Sequence, residues 1–328
     1  MKIRCVRFLT DSGFGSPSAP LRQVSRRENG KGGLTSFVPR GKGLRELLPN
    51  PRNRSDAQYL LGRTNREYER LIAQAQWISG YTENAFKEAG IRPGMRILDV
   101  GCGVGDVSLL LAKLLGDSGK IVGIDQDAGA LSMARKRAGA AGFRTMSFVQ
   151  GDFRTYDFGQ LFDAVVGRYV LMYQADPVTA VQSLVMRLKP GGIIAFQELD
   201  MSRIPICWPR IPLFENCFRW GRAANLKAKV HVRMGLDLYR TFILAGLVKT
   251  NLHMDTIVGA GPDFPGYKIM AESMRSILPV LESSGIADPD EVRIETLAER
   301  LRDAVVSANA IVSWCPIVSA WAAKPVGV

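Results

Sequence analysis

Histidine is nearly absent from this chain: His231 and His253 are the only two in 328 residues. Cysteine offers a metal little more, since Cys5, Cys102, Cys207, Cys217 and Cys315 are scattered without a CxxC pair. These absences exclude the usual zinc and iron–sulfur spacings and a disulfide framework, so no metal is expected and a reducing, cytoplasmic compartment is. A secretory signal is missing too, because Arg4, Arg7 and Asp11 interrupt the opening MKIRCVRFLTDSGFG. One charge-free stretch, residues 304–323 (AVVSANAIVSWCPIVSAWAA), approaches the length of a membrane span. Asn309, the serines and Pro316 dilute it, and it reads instead as a buried helix end followed by a core strand.

What is present is the composition of a soluble globular protein, 46% hydrophobic and 23% charged, with a formal charge of +12. That charge is concentrated at one end. Residues 1–54 hold twelve Lys and Arg against three Asp and Glu, which leaves only +3 for residues 55–328. With their Gly, Ser and Pro and little apolar periodicity, residues 1–54 read as a basic, disordered extension.

From residue 55 the text becomes periodic. Residues 55–93 carry apolar positions at helical spacing and predict one or two helices. MRILDV, KIVGID, TMSFVQGD, LFDAVVGRYVL and IIAFQELD read as strands within a core of residues 94–200. Helical stretches alternate with them: DVSLLLAKLLG, DAGALSMARKRAGAAG and DPVTAVQSLVMRLKPGG. This alternation predicts a doubly wound α/β domain over residues 55–328, with a mostly parallel sheet that binds ligands at the carboxyl ends of its strands. GLDLYRTFILAGL reads as a further helix. VKTNLHMDTIVG and PIVSAWAAKP read as a closing antiparallel pair of strands, and helical inserts at about 202–230 and 265–308 are placed to cover the sheet's ligand edge.

Glycines crowd in one place, ILDVGCGVGD at residues 97–106. A phosphate loop would need a Lys after the glycines, and none follows. A dinucleotide loop would place a third glycine at residue 106, but Asp106 stands there, and a carboxylate would repel a pyrophosphate. The loop therefore suits a nucleoside whose attached group is zwitterionic or cationic.

The text LDVGCGVGD, Asp125 ending the second strand, Gly151 and Asp152 after the third, and LKPGG before the fifth resemble a class I S-adenosylmethionine-dependent methyltransferase. The resemblance implies a Rossmann-like, seven-stranded sheet with an antiparallel C-terminal edge. It also implies S-adenosylmethionine as cofactor and S-adenosylhomocysteine as product. Gly101, Gly103 and Gly105 would admit the methionine and ribose portions, Asp99 would orient the loop and help hold the ammonium, and Asp125 would accept the ribose hydroxyls. A competing reading makes Asp125 the cap of the next helix. Gln126 would lie along the ribose and adenine, Asp152 and Phe153 would meet the base, and Arg168 and Tyr169 would face the methionine portion. Tyr59, Arg70 and Gln74 are further candidates for its amino-acid end.

The acceptor is less legible. The Asp/Asn-Pro-Pro-aromatic motif of nucleobase and glutamine-amide methylation is missing from GRYVLMYQADP, and the modest charge of residues 55–328 argues against nucleic acid. Trp208, Phe214, Phe218, Trp220 and Tyr239 suggest an apolar lining, hence a small, partly hydrophobic acceptor. Glu198, Asp200 and His231 are the candidates for a general base. An RNA or protein methyltransferase, a non-catalytic S-adenosylmethionine binder and a nicotinamide oxidoreductase are the competing readings. Oligomeric state is left open, with a homodimer one option.

Overall fold

The computed structural model describes residues 64–326. The extension expected at residues 1–54, and Tyr59, lie outside the described residues. A helix, α1 (Asn65–Glu88), comes first, started by the Thr64 side chain, which accepts a hydrogen bond from the Glu67 N–H. It ends where Gly90 takes a positive φ of 89°. Then β1 (Arg96–Val100), α2 (Asp106–Leu115), β2 (Lys120–Asp125), α3 (Ala128–Ala140), β3 (Met146–Gln150) and β4 (Phe162–Arg168) alternate in the expected order. They are followed by α4 (Pro177–Val185) and β5 (Leu188–Leu199).

The rest of the chain divides between the sheet and a cap. β6 (Cys207–Trp208) and α5 (Pro212–Lys227) precede α6 (Met234–Leu244), β7 (Asn251–Asp255) and β8 (Val258–Gly259). α7 (Gly266–Ser283), α8 (Pro289–Val292), α9 (Leu297–Ser307), β9 (Ile311–Ser313) and β10 (Ile317–Ala323) complete it. The main sheet has seven strands in the order β3-β2-β1-β4-β5-β10-β7. β1 to β5 run parallel, and β10 is antiparallel to both neighbours. Strand order reverses between β1 and β4, so the crevice that such sheets use for ligands opens at the carboxyl ends of those two strands.

Two local readings differ from the sequence expectation. The stretch 248–259 is not one strand: it breaks after Asp255, and β8 leaves the main sheet to pair with β9, which also pairs β6 in a second, three-stranded sheet. Bonds from Thr256 Oγ1 to the Trp314 carbonyl and from the Trp314 N–H to the Ile257 carbonyl hold that break. LKPGG is not helical either. α4 stops at Val185, and Pro190, which disfavours a helix at the residue before it, lies near the start of a long β5.

Apolar burial forms two main bodies. One packs the sheet against α4 and α6 around Phe162, Phe196 and Phe242, all buried. The other sits in the cap, where α5, α7 and α9 close over Phe214, Trp220, Met274 and Leu301. Residues 304–323 divide between the end of α9, β9 and β10, and no helix among the described residues is long and apolar enough to cross a membrane.

Gly167 makes the first body possible, because a Cβ there would stand 2.3 Å from the Phe196 ring, which meets Phe242 edge to face at 6.5 Å. Truncating Phe196 leaves a cavity that the surrounding strands cannot collapse into. Phe196→Ala is expected to cost about 3–5 kcal/mol, measured by urea unfolding.

Candidate functional site

A cavity of about 630 Å³ opens at the β1/β4 reversal. Its floor is the glycine loop between β1 and α2. Gly101 and Gly103 both line it, with φ of 60° and 53°, a region that costs any other residue strain. A Cβ at Gly101 would collide with Val170 at 2.6 Å, whereas at Gly103 it would meet no protein atom within 4 Å. The open face of Gly103 is the cavity itself.

Asp125 ties this loop to the next. Its Oδ2 accepts from the Gly103 N–H at 2.8 Å and its Oδ1 from the Asp127 N–H at 2.9 Å, and burial pushes its pKa up. The cap of α3 is Asp127, not Asp125: Asp127 accepts from the Gly129 and Ala130 N–H groups and from the Tyr68 hydroxyl at 3.1 Å. Asp106 also lines the cavity, paired with Arg137 at 2.7 Å.

The other walls are helix faces, each with the spacing of one side of a helix. α1 supplies Arg70, Leu71, Gln74, Trp77 and Ile78, α5 supplies Cys217, Phe218, Gly221, Arg222 and Asn225, and α7 supplies Met270, Ser273, Met274 and Ile277. Trp77 and Trp314 meet edge to face at 4.9 Å, and Trp314 meets Phe218 at 5.2 Å, so three rings form one aromatic corner. Arg70, buried and paired with Glu67 at 2.6 Å, donates to Gln74, while Ser276 of α7 donates to Glu67, which binds α1 to α7.

The strand-end residues are held by a buried network. Arg168 donates to Thr82 Oγ1 at 3.1 Å, Thr82 donates to Gln197 at 2.7 Å, and Gln197 donates to Ser319 at 3.1 Å. Tyr169 follows at φ 60°, a strained conformation for a bulky residue. It persists because the turn after it is clamped by Glu198, whose carboxylate accepts from the N–H groups of Val170, Leu171 and Met172.

Of the residues singled out in the sequence, Gly101, Gly103, Asp125, Gln126, Phe153, Arg168 and Tyr169 line the cavity together, as do Arg70 and Gln74. Asp99, Gly105 and Asp152 do not. Gly105 serves close packing behind the loop, where its Cβ would come 3.1 Å from that of Ala134. Asp152 is held by Arg154, which lowers its pKa. Asp99 is buried and accepts from Ser108 Oγ at 2.6 Å, which anchors the start of α2.

None of the three base candidates lines the cavity. Glu198 is the clamp just described, Asp200 accepts from Ser202, and His231 Nε2 pairs with the Gln174 carbonyl at 2.8 Å. Of the aromatic candidates only Phe218 reaches the cavity: Phe214 and Trp220 are buried in the cap, and Trp208 and Tyr239 are exposed. Sequence reasoning missed Trp77, Gln174, Arg203, Arg222 and Trp314, which do line it. For Arg222 a signal existed, since it stands one helical turn from Phe218 on α5. Among the described residues no group of His, Cys, Asp or Glu has the arrangement of a metal site.

Known proteins resemble the central part of the chain. Residues 91–242 match the family described as a methyltransferase domain. The chain is 28% identical over 163 residues to the demethylmenaquinone methyltransferase of Staphylococcus aureus strain MRSA252, a match covering 49% of this chain and 67% of that protein. The protein of the same description from strain JH9 matches at 27% over the same lengths. Among solved structures, a provisionally assigned methyltransferase from Bacillus halodurans C-125 superposes with a TM-score of 0.51 at 18% identity, over 74% of this chain and 97% of that one. That last likeness is one of fold.

Burial pushes the pKa of Asp99 up from 3.8 to about 7, against the pull of the Ser108 hydrogen bond. An acid raised in this way binds more protons folded than unfolded, so the stability it lends is complete below 3.8 and lost as pH rises to about 7. Asp99→Asn removes that loss. Relative to the wild type, the variant's unfolding free energy should gain with pH across this window, by at most about 1.4 kcal/mol per pH unit, as followed by urea titrations at several pH values.

Proposed function

We infer that the chain belongs to the class I S-adenosylmethionine-dependent methyltransferases, and on that premise propose that it methylates a compact, partly hydrophobic small molecule held between the glycine loop and the helical cap. The observation that carries this reading is the single cavity that joins the two. Its floor has the glycines and carboxylate of a nucleoside site, and its roof has the rings and methionines of an apolar one.

The residues present fit the donor. Gly103 leaves the space its Cβ would fill, and Asp125, with Gln126 beside it, stands at the end of β2 where a ribose diol would be read. Phe153 offers a buried ring to the base, and Arg168, fixed by the Thr82 bond, faces the methionine end with Tyr169. S-adenosylmethionine, when bound, supplies an electrophilic methyl group on a sulfonium. What the chain's own residues contribute is orientation and the exclusion of water, the chief requirement of an in-line displacement.

No base is assigned. Asp106 is neutralised by Arg137, and burial pushes the Tyr169 and Tyr173 hydroxyls up, away from proton abstraction. The acceptor therefore brings a nucleophile that is already deprotonated or needs no base. A cavity of about 630 Å³ lies within the rough 300–1,000 Å³ range of small-ligand pockets, and it must hold donor and acceptor together. That supports a small acceptor over RNA or protein, as does the relative named for demethylmenaquinone.

Release of S-adenosylhomocysteine from S-adenosylmethionine in the presence of phenols, enols and arene acids tests the reading, and its failure across broad panels despite donor binding would overturn it. Asp125→Ala should weaken donor binding, measured calorimetrically, by about 1.5–3 kcal/mol, the scale of hydrogen bonds to a charged group. Unchanged affinity would remove Asp125 from the site.

A further inference from the structure

The acceptor end of the cavity carries a positive charge that no carboxylate answers. The carboxylates that line the cavity are Asp106 at the start of α2, Asp125 at the end of β2 and Asp127 at the N-cap of α3, none of them on the cap side. The cap side supplies Arg222 from α5 and Arg203 from the segment after β5. Arg70 on α1 is neutralised by Glu67. Arg222 has no ion pair among the described residues, and its Nε is shut off from solvent without a hydrogen-bond partner. Gln174, on the cavity wall after β4, likewise has an Oε1 that is buried and accepts from nothing among the described residues.

Buried donors and acceptors are almost always satisfied, and a half-buried guanidinium beside apolar side chains is a costly thing to keep without an anion. Its position is specific as well. Arg222 stands one turn along α5 from Phe218, and Phe218 closes the corner with Trp314 and Trp77. A flat apolar body in that corner would carry a substituent toward Arg222.

Resting on the methyltransferase reading above, we propose that the acceptor is an aromatic acid, its ring in the Trp77–Trp314–Phe218 corner and its carboxylate paired with Arg222. The fork of a guanidinium matches the two oxygens of a carboxylate. One half-buried cation balances one charge. A phosphate dianion would ask for a second cation at the same place, and Arg203, the other candidate, is exposed. The side-chain Oε1 of Gln174 is left to take a hydroxyl or amino hydrogen of the same molecule.

The test is a binding measurement, so it does not depend on turnover. The protein loaded with S-adenosylhomocysteine is titrated calorimetrically with hydroxynaphthoate and with hydroxynaphthamide, which differ in charge and little else. The acid should bind at least about tenfold more tightly than the amide, and Arg222→Gln should erase that difference while S-adenosylhomocysteine affinity is unchanged. Arg222→Lys, which keeps the charge but not the fork, should retain part of the preference. The proposal is overturned if the amide binds as well as the acid, if neither binds, or if naphthyl phosphate binds more tightly than naphthoate. It is also overturned if Arg222→Gln weakens S-adenosylhomocysteine, since the guanidinium would then serve the donor's own carboxylate. Preference for the acid without methyl transfer would sink the catalytic reading and leave this one, whereas turnover of neutral acceptors alone would do the reverse.

Discussion

A carboxylate buried at the carboxyl end of a central strand sets the shape of the ligand cavity. Glu198 takes three successive backbone N–H groups, those of Val170, Leu171 and Met172, as β4 ends. Without an acceptor there those donors would be stranded away from water, and the turn would relax. With it, Tyr169 is kept in a left-handed conformation, and Arg168, Val170, Met172, Tyr173 and Gln174 are delivered to the cavity wall. Burial alone pushes the pKa of Glu198 up to about 7 against those three donors, so its free-energy cost and its structural use have the same origin.

The order of strands and helices was legible because each parallel strand is a short apolar run set between amphipathic helices, a pattern that allows little else. The floor of the cavity was legible in part. All three glycines take a positive φ, but Gly101 and Gly103 line the cavity, whereas Gly105 faces α3, where a Cβ would come 3.1 Å from that of Ala134. Spacing cannot separate these two uses. Asp152 is more instructive, since Arg154 stands two residues away in the text GDFRT and competes for its carboxylate.

The base candidates failed for a geometric reason. A residue at the carboxyl end of a central strand can face either side of the sheet, and both sides are covered here. Glu198 therefore looks identical in sequence whether it meets a ligand or a backbone turn that lies about thirty residues earlier. The aromatic residues of the cap failed similarly. Phe214 and Phe218 are one turn apart on α5, yet one is interior to the cap and the other is in the cavity wall. That choice is made by α7 and α9, which arrive from much later in the chain.

The helix α1 has a consequence for how the two ligands sense each other. One unbroken rod of 24 residues holds Tyr68 against Asp127 beside the nucleoside end, and Trp77 in the aromatic corner. A stiff rod cannot settle at one end without constraining the other. Any displacement of α1 by one ligand would therefore be felt by the other, and by thermodynamic reciprocity to the same extent in either order of arrival. Donor and acceptor rest on the same helix.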